Sequence, residues 1–209
     1  MKISDEILKE VAKKSLENAK ALMSDADILR EANRYQRAYA IYQFAMEEVG
    51  KAISSILLLI LIDPNEKDFK EFERSFKSHT SKIKRSRALD SFICQVIYKG
   101  DFDGALNFLQ SSISENENQL DQSKNNSLYT NIIDSQVKKP SEMISENQMN
   151  YIWLRAISRY KIAQPFVTMA LEHYETLREY QREHGSIKNM SLDAEEVGKE
   201  FWDEIIGKE

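Results

Sequence analysis

The sequence predicts an all-α protein, a bundle of long helices with an additional C-terminal helical segment. Three observations lead there. Apolar residues recur at spacings of three and four over most of the chain, as one face of a helix requires. No stretch alternates with period two for long. Helix breakers are few, 6 Gly and 3 Pro in 209 residues, so each one present marks a boundary.

Taken in order, Ser4 is placed to cap a first helix, with Asp5 and Glu6 at its positive end and Ile7, Val11, Leu16, Ala19, Leu22, Ala26 and Leu29 along it. Around Asn33 the chain either turns or kinks. A second helix is predicted from Tyr35 to Ile62, ending at "DPNEKD", where Pro64 disfavours helix in the residue before it. A third is predicted from Lys67 to Tyr98, closed by Gly100, and a shorter one from Asp103 to Leu120. Residues 121–144 change character. They are rich in Asn, Ser and Lys and contain Pro140, and only "LYTNII" is able to pack or form a strand. A connection of that length is usually functional or disordered. A fifth helix follows from Ser145 to His184, with a kink expected at Pro165, and then a short one, "LDAEEVGKEFWDEI". The organisation predicted is a helical core over 1–120, a polar insert over 121–144, and C-terminal helices over 145–209 on the same core.

Composition narrows the class. With 42% hydrophobic and 30% charged residues, 209 residues suffice for one globular domain with a sizeable core. The single cysteine, Cys94 in "SFICQVI", leaves no intramolecular disulfide and reads as a small buried hydrophobe. The charged N-terminus lacks the apolar stretch of a signal peptide, and the apolar run Ile56–Ile62 is far shorter than the ~20 residues of a membrane span, so a cytoplasmic protein is expected. A net charge of -5 argues against a general nucleic-acid binder. Locally, however, "KSHTSKIKRSR" carries Lys77, Lys82, Lys84, Arg85 and Arg87 without an acid, which is either an RNA-attracting patch or an ordinary solvated face. His173 and His184 show no metal-ligand spacing, and no cofactor is expected.

The anomaly is "FAMEEVGKAISSILLLI", which sets Glu47, Glu48 and Lys51 in a run that otherwise reads as buried helix. Ile41, Ala45, Glu48 and Ala52 form one stripe, so Glu48 is assigned to the apolar face, with Glu47 beside it and one turn before Lys51. In the third helix Phe72, Phe76, His79 and Ile83 form the stripe, and Lys82 sits three residues after His79. A carboxylate on an apolar face is costly unless paired. These five residues are therefore either a structural polar network or the walls of a functional site.

Two motifs in this region resemble a known family. "ALMSDADILREANRYQRAYAIYQFAMEEVGKA", followed by "FERSFKSHTSK", resembles the AbiV family of abortive-infection proteins, a branch of the HEPN superfamily. The resemblance rests on Ala38, Ala45, Glu47, Glu48, Gly50 and Lys51, on the pair His79 and Lys82, and on "KNNSLYTNI" with Lys124, Leu128 and Tyr129, where Asn131 departs from the acidic residue of the pattern. "EEVGK" recurs at 195–199 without a His-x-x-Lys after it.

The resemblance implies a HEPN-like helical bundle and an antiphage effector that acts as a metal-independent ribonuclease, shuts down host translation, and builds its site across a homodimer. A phage-encoded protein is the implied activator. Arg74 and His79 fit the Arg-x4-6-His pattern of HEPN ribonucleases. Cleaving RNA through its own 2′-hydroxyl needs a base, an acid and cations for the developing phosphorane charge. His79 would serve as base or acid, Arg74, Lys82 or Lys51 would hold the phosphate, and Glu48 would orient the histidine or a lysine. Lys77, Lys84, Arg85, Arg87, Lys124 and Tyr129 would bind the RNA. Five residues along an unbroken helix rotate by about 140°, so Arg74 and His79 share a face only if the helix is distorted. Otherwise Arg74 serves the partner's site, or Lys82 takes its place. Two other functions compete: a non-catalytic interaction protein acting on a phage or host translation partner, and a nucleotide binder.

Overall fold

A computed structural model describes residues 3–86 and 117–185 of the chain. The described residues form seven helices and one two-stranded hairpin. Arg87, Cys94, the closing Gly100, the start of the helix predicted from Asp103 and the final short helix lie outside them.

Helix α1, Asp5–Glu31, opens as expected, with the Ser4 hydroxyl accepting the Ile7 N–H. It ends in a true turn at Asn33, whose φ of 58° is left-handed. The Arg34 N–H reaches the Leu29 carbonyl and the Asn33 N–H reaches that of Arg30, which satisfies the last carbonyls of the helix. Asparagine tolerates this conformation better than most residues. α1 and α2, Tyr35–Leu59, then pack side by side as a helical hairpin.

α2 is the centre of the molecule, buried nearly all round. It stops three residues earlier than its apolar run suggests, because Gln181 of the last helix donates to the Ile60 carbonyl at 2.6 Å and caps it there. Asn65 then opens α3, Glu66–Lys77, through a reciprocal capping box with Asp68.

The long third helix of the sequence reading is divided. Ser78 is extended, at φ -104° and ψ 120°, and the chain re-enters a helix over residues 79–86, here α4. Residues 121–144, read as a polar insert, hold regular structure over most of their length. α5, Glu117–Leu128, continues past Leu120, and β1, Asn131–Ile133, pairs with β2, Gln136–Lys138, in an antiparallel hairpin. Its two-residue turn places Asp134 and Ser135 at positive φ, as tight hairpins require. One turn of helix, α6, Pro140–Met143, leads to α7, Glu146–His184.

α7 is capped by Ser145 and spans 39 residues, about 58 Å. Its irregularity is at His173, at φ -122° and ψ 19°, and not at Pro165. Pro165 lies on an exposed part of the helix, where water can satisfy the carbonyl it leaves unbonded.

Two apolar clusters hold the bundle together. One joins Leu8, Ala12, Val49, Ile53, Ile56 and Phe72 to Ala163, Val167 and Leu177. The other joins Tyr39, Tyr42, Met46 and Ile83 to Leu120, Met149 and Ile152. α2 runs through both, and Glu47 lies on it between Met46 of the second cluster and Val49 of the first. The site is therefore seated where the two cores meet.

Candidate functional site

The site is assembled from three stretches: α2, the α3–α4 junction and α5. Its key is Gly50. A Cβ built there would lie 2.0 Å from the Lys82 carbonyl oxygen and 2.8 Å from its carbon, so the α4 backbone rests directly on α2. Only glycine permits that approach. Glu47, one turn earlier on α2, is thereby brought level with the first turn of α4.

Ser78 aims the first turn. Its N–H donates to the Arg74 carbonyl, closing α3, while its hydroxyl accepts the Ser81 N–H at 3.3 Å and its carbonyl accepts the Lys82 N–H at 3.2 Å, opening α4. A single serine thus ends one helix and caps the next. His79 becomes the first residue of α4, and its Nδ1 lies 2.6 Å from Glu47 Oε2. A carboxylate only accepts hydrogen bonds, so Nδ1 carries the proton and donates it, which leaves Nε2 as the ring's basic nitrogen. The His79 side chain is 49% exposed and that of Glu47 4%. With Nδ1 turned inward on a half-exposed ring, Nε2 is the nitrogen left free of the carboxylate.

Two ammonium groups complete the cluster. Lys82 Nζ lies 3.6 Å from Glu47 Oε2, and Lys124 Nζ from α5 lies 2.9 Å from Oε1. Lys124 is also 2.8 Å from Asp121 and 5.5 Å from the centroid of the Phe44 ring. Both lysines are buried, as is Glu47. A carboxylate buried among cations from two other elements compensates charges that would each be costly alone.

The polar site read from the sequence is thus divided between two neighbouring places. Glu47, rather than Glu48, meets His79 and Lys82. Assignment to a single apolar stripe could not separate the two glutamates because α2 is covered on almost every side. Glu48 is ion-paired with Lys51, and the pair lines an open groove of about 480 Å³ with Ile7, Val11, Lys14 and Phe76. Lys51 Nζ is 5.9 Å from the centroid of the Phe76 ring. At the rim of this groove Lys14, hydrogen-bonded to Glu10, holds that carboxyl below its usual range.

The other candidates are placed as follows. Arg74 is exposed on the last turn of α3, and the break at Ser78 removes the unbroken helix on which its angle to His79 was reckoned. Lys77 and Lys84 are exposed, and Arg85 pairs with Glu71 at 3.3 Å. Tyr129 is 63% exposed just ahead of the hairpin. Asn131 donates to Asn126 at 2.9 Å. Lys124, expected on an RNA-facing surface, is instead buried against Glu47. The only sequence signal of that burial is Asp121 at i-3, the partner that helps to hold its charge. Sequence reasoning also passed over Arg159, fully buried on α7, which reaches Ser86 Oγ at 3.3 Å and Met46 Sδ at 3.4 Å and so ties α7 to α4 and α2.

In chemical terms the arrangement is a half-exposed histidine with one nitrogen fixed on a buried carboxylate, the other free of it, and two cations on the same carboxylate. Such a group can take or give a proton and is placed near positive charge that would favour an anionic substrate. Among the described residues no cluster of His, Cys, Asp and Glu has the makeup of a metal site, and no helix is long and apolar enough to cross a membrane.

No curated protein and no solved structure matches the chain at a significant level. The family model of AbiV, of HEPN type, matches residues 7–161, which include every helix that contributes to the site. With three quarters of its length matched and a helical bundle to fit, the chain belongs to the AbiV family of the HEPN superfamily.

Proposed function

We propose that this protein is a metal-independent endoribonuclease that halts translation in the infected cell, a specific form of the abortive-infection defence its family is named for. The observation that supports this best is the His79 ring, held through Nδ1 by buried Glu47 while its other edge stands open beside Lys82. In this reading Nε2 of His79 takes the proton of an RNA 2′-hydroxyl, which attacks the adjacent phosphorus, and the 5′-oxygen departs with a proton. Lys82 and the exposed Lys77 and Lys84 supply positive charge for the phosphate as it becomes more anionic. Glu47 keeps the ring in the tautomer that can act as a base.

The geometry makes a homodimer part of the proposal. Among the described residues the cluster holds one histidine, and in this reading the second proton-transfer group and the exposed Arg74 come from a partner. Light scattering that finds only a 24.3 kDa particle would count against a shared site.

The competing reading is a non-catalytic interaction protein. It is favoured by the hairpin, where Ile132 and Val137 are opposite each other and 73% and 72% exposed. Against it, the polar cluster is open at His79 rather than sealed. Induction of the wild type and His79→Ala in bacteria, with RNA integrity and protein synthesis followed at matched folded expression, separates the two. Fragmentation by the wild type alone supports the nuclease. Arrest of translation with intact RNA, or equal potency of His79→Ala, supports binding.

A further inference from the structure

We infer that Lys124 is a positioning residue, acting on His79 through Glu47 and not touching the substrate. The inference rests on the nuclease reading for its kinetic arm, and on geometry alone for its structural arm. Glu47 has two carboxylate oxygens in a buried setting, and the cluster uses both. Oε2 faces His79 Nδ1 at 2.6 Å and Lys82 at 3.6 Å, while Oε1 has Lys124 at 2.9 Å. Rotation of the carboxyl group about its last bond would move both oxygens together. Lys124 therefore fixes the plane that presents Oε2 to the ring.

Lys124 is well held for this purpose. Asp121, one turn earlier on α5, is 2.8 Å from its ammonium, and the Ser127 hydroxyl donates to its carbonyl at 2.6 Å. Its side chain is 4% exposed, so it cannot reach an RNA phosphate without leaving Glu47. Lys82 cannot substitute, because it lies on the same oxygen as His79. Among the described residues, Lys124 is the one group outside residues 47–82 that bonds Glu47, so α5 joins the site through this contact.

Without the ammonium, Oε1 is a buried acceptor lacking its donor, and Glu47 turns toward Lys82 to share it. The ring then loses its fixed Nδ1 donor bond and samples both neutral tautomers, only one of which has Nε2 free as a base. That is a defect in turnover, not in binding.

The test uses full-length protein labelled with ¹⁵N-histidine, the His79 signals being identified by their loss in His79→Ala. At a pH where the ring is neutral, wild type is expected to show only the Nδ1-protonated tautomer and Lys124→Met a mixture. Against an RNA substrate, Lys124→Met should lower kcat at least ~10-fold with KM nearly unchanged, and Lys124→Arg should restore part of kcat. If Lys124→Met does not fold, Asp121→Asn/Lys124→Met removes one charge of each sign and takes its place in the same measurements. A single retained tautomer in the variant overturns the inference, as does a raised KM with unchanged kcat, which would make Lys124 a substrate contact. If wild type cuts no RNA, the nuclease reading fails, and the tautomer measurement still decides the role of Lys124.

Discussion

Gly50→Ala is the most searching test of how the site is built. The added methyl group would lie 2.0 Å from the Lys82 carbonyl oxygen, where ordinary contact begins at 3.4 Å. Relief requires α4 to withdraw by about 1.4 Å along that line, since both partners are backbone and neither can rotate away. Forced overpacking of this kind costs roughly 1–3 kcal/mol. Replacing glycine by alanine inside a helix returns about 1 kcal/mol. The net loss is then about 1 kcal/mol, which for a chain of this size is a fall of only about 2–4 °C in Tm. Function should suffer far more than stability. A hydrogen bond of 2.6 Å, such as that from His79 to Glu47, does not survive a displacement of an ångström or more. The expected result is a folded protein with a slightly lower Tm, the His79 tautomer no longer fixed and, on the proposed nuclease function, no growth arrest on induction. A Gly50→Ala protein with wild-type activity and unchanged or higher Tm would refute the reasoning, because α4 would then not depend on close approach to α2.

Removing the two partners of the central bond should have unequal consequences for stability. Glu47→Gln leaves two buried ammonium groups facing a neutral amide and should cost about 3–5 kcal/mol, whereas His79→Ala, at a half-exposed ring, should cost well under that, as chemical denaturation would show. Replacing the whole buried set with apolar residues of similar length, Glu47→Leu/Lys82→Met/Lys124→Met, should give a protein as stable as wild type or more so, yet inactive; a large loss of stability would mean that the cluster holds the fold together. The Asp5–Arg178 pair, at 2.7 Å and 3.0 Å, should contribute a pH-dependent term. The Arg178 hydrogen bonds hold the Asp5 carboxyl below its ordinary 3.8 against the opposing effect of burial. Its stabilisation is therefore complete above that value and lost as pH falls through the lower folded value. Arg178→Met should be slightly less stable than wild type at neutral pH, with the gap closing in acid, and because the Asp5 side chain is still 39% exposed, solvent screening should keep the gap small.

How much of this was legible in the sequence depended on the kind of signal. Helix starts were readable where a polar cap precedes an apolar period, as at Ser4 and Ser145, and the all-α class followed from period alone. The break at Ser78 was not, because Phe72, Phe76, His79 and Ile83 continue one apolar spacing straight through it, and periodicity cannot register a change of axis that preserves the stripe. Its mark was the serine with Ser81 three residues on, a cap signal weaker than the hydrophobic one over it. The hairpin was similarly faint, since Asp134 and Ser135 adopt positive φ without a glycine. Within the site, the sequence named Glu47, His79, Lys82 and Lys124 but paired them imperfectly. Which glutamate faces His79, and that Lys124 turns inward, are set by tertiary packing that no spacing encodes.

The buried charges in α2 are hard to account for as a device for stability. An ion cluster taken out of water seldom repays its desolvation, and apolar residues of the same size would pack the junction of the two cores as well or better. What the cluster does achieve is conditional assembly. Glu47 comes from α2, His79 and Lys82 from α4, and Lys124 from α5, and none of these is adjacent in the chain to the group it meets. The histidine has its anchored, outward-facing form only when all three elements have docked. A displacement of α4 or α5 by about an ångström would release the ring while disturbing only the second apolar cluster, to which Ile83 and Leu120 belong. On the function proposed above, in which the protein acts only in an infected cell, such an arrangement separates the control of chemistry from the control of folding.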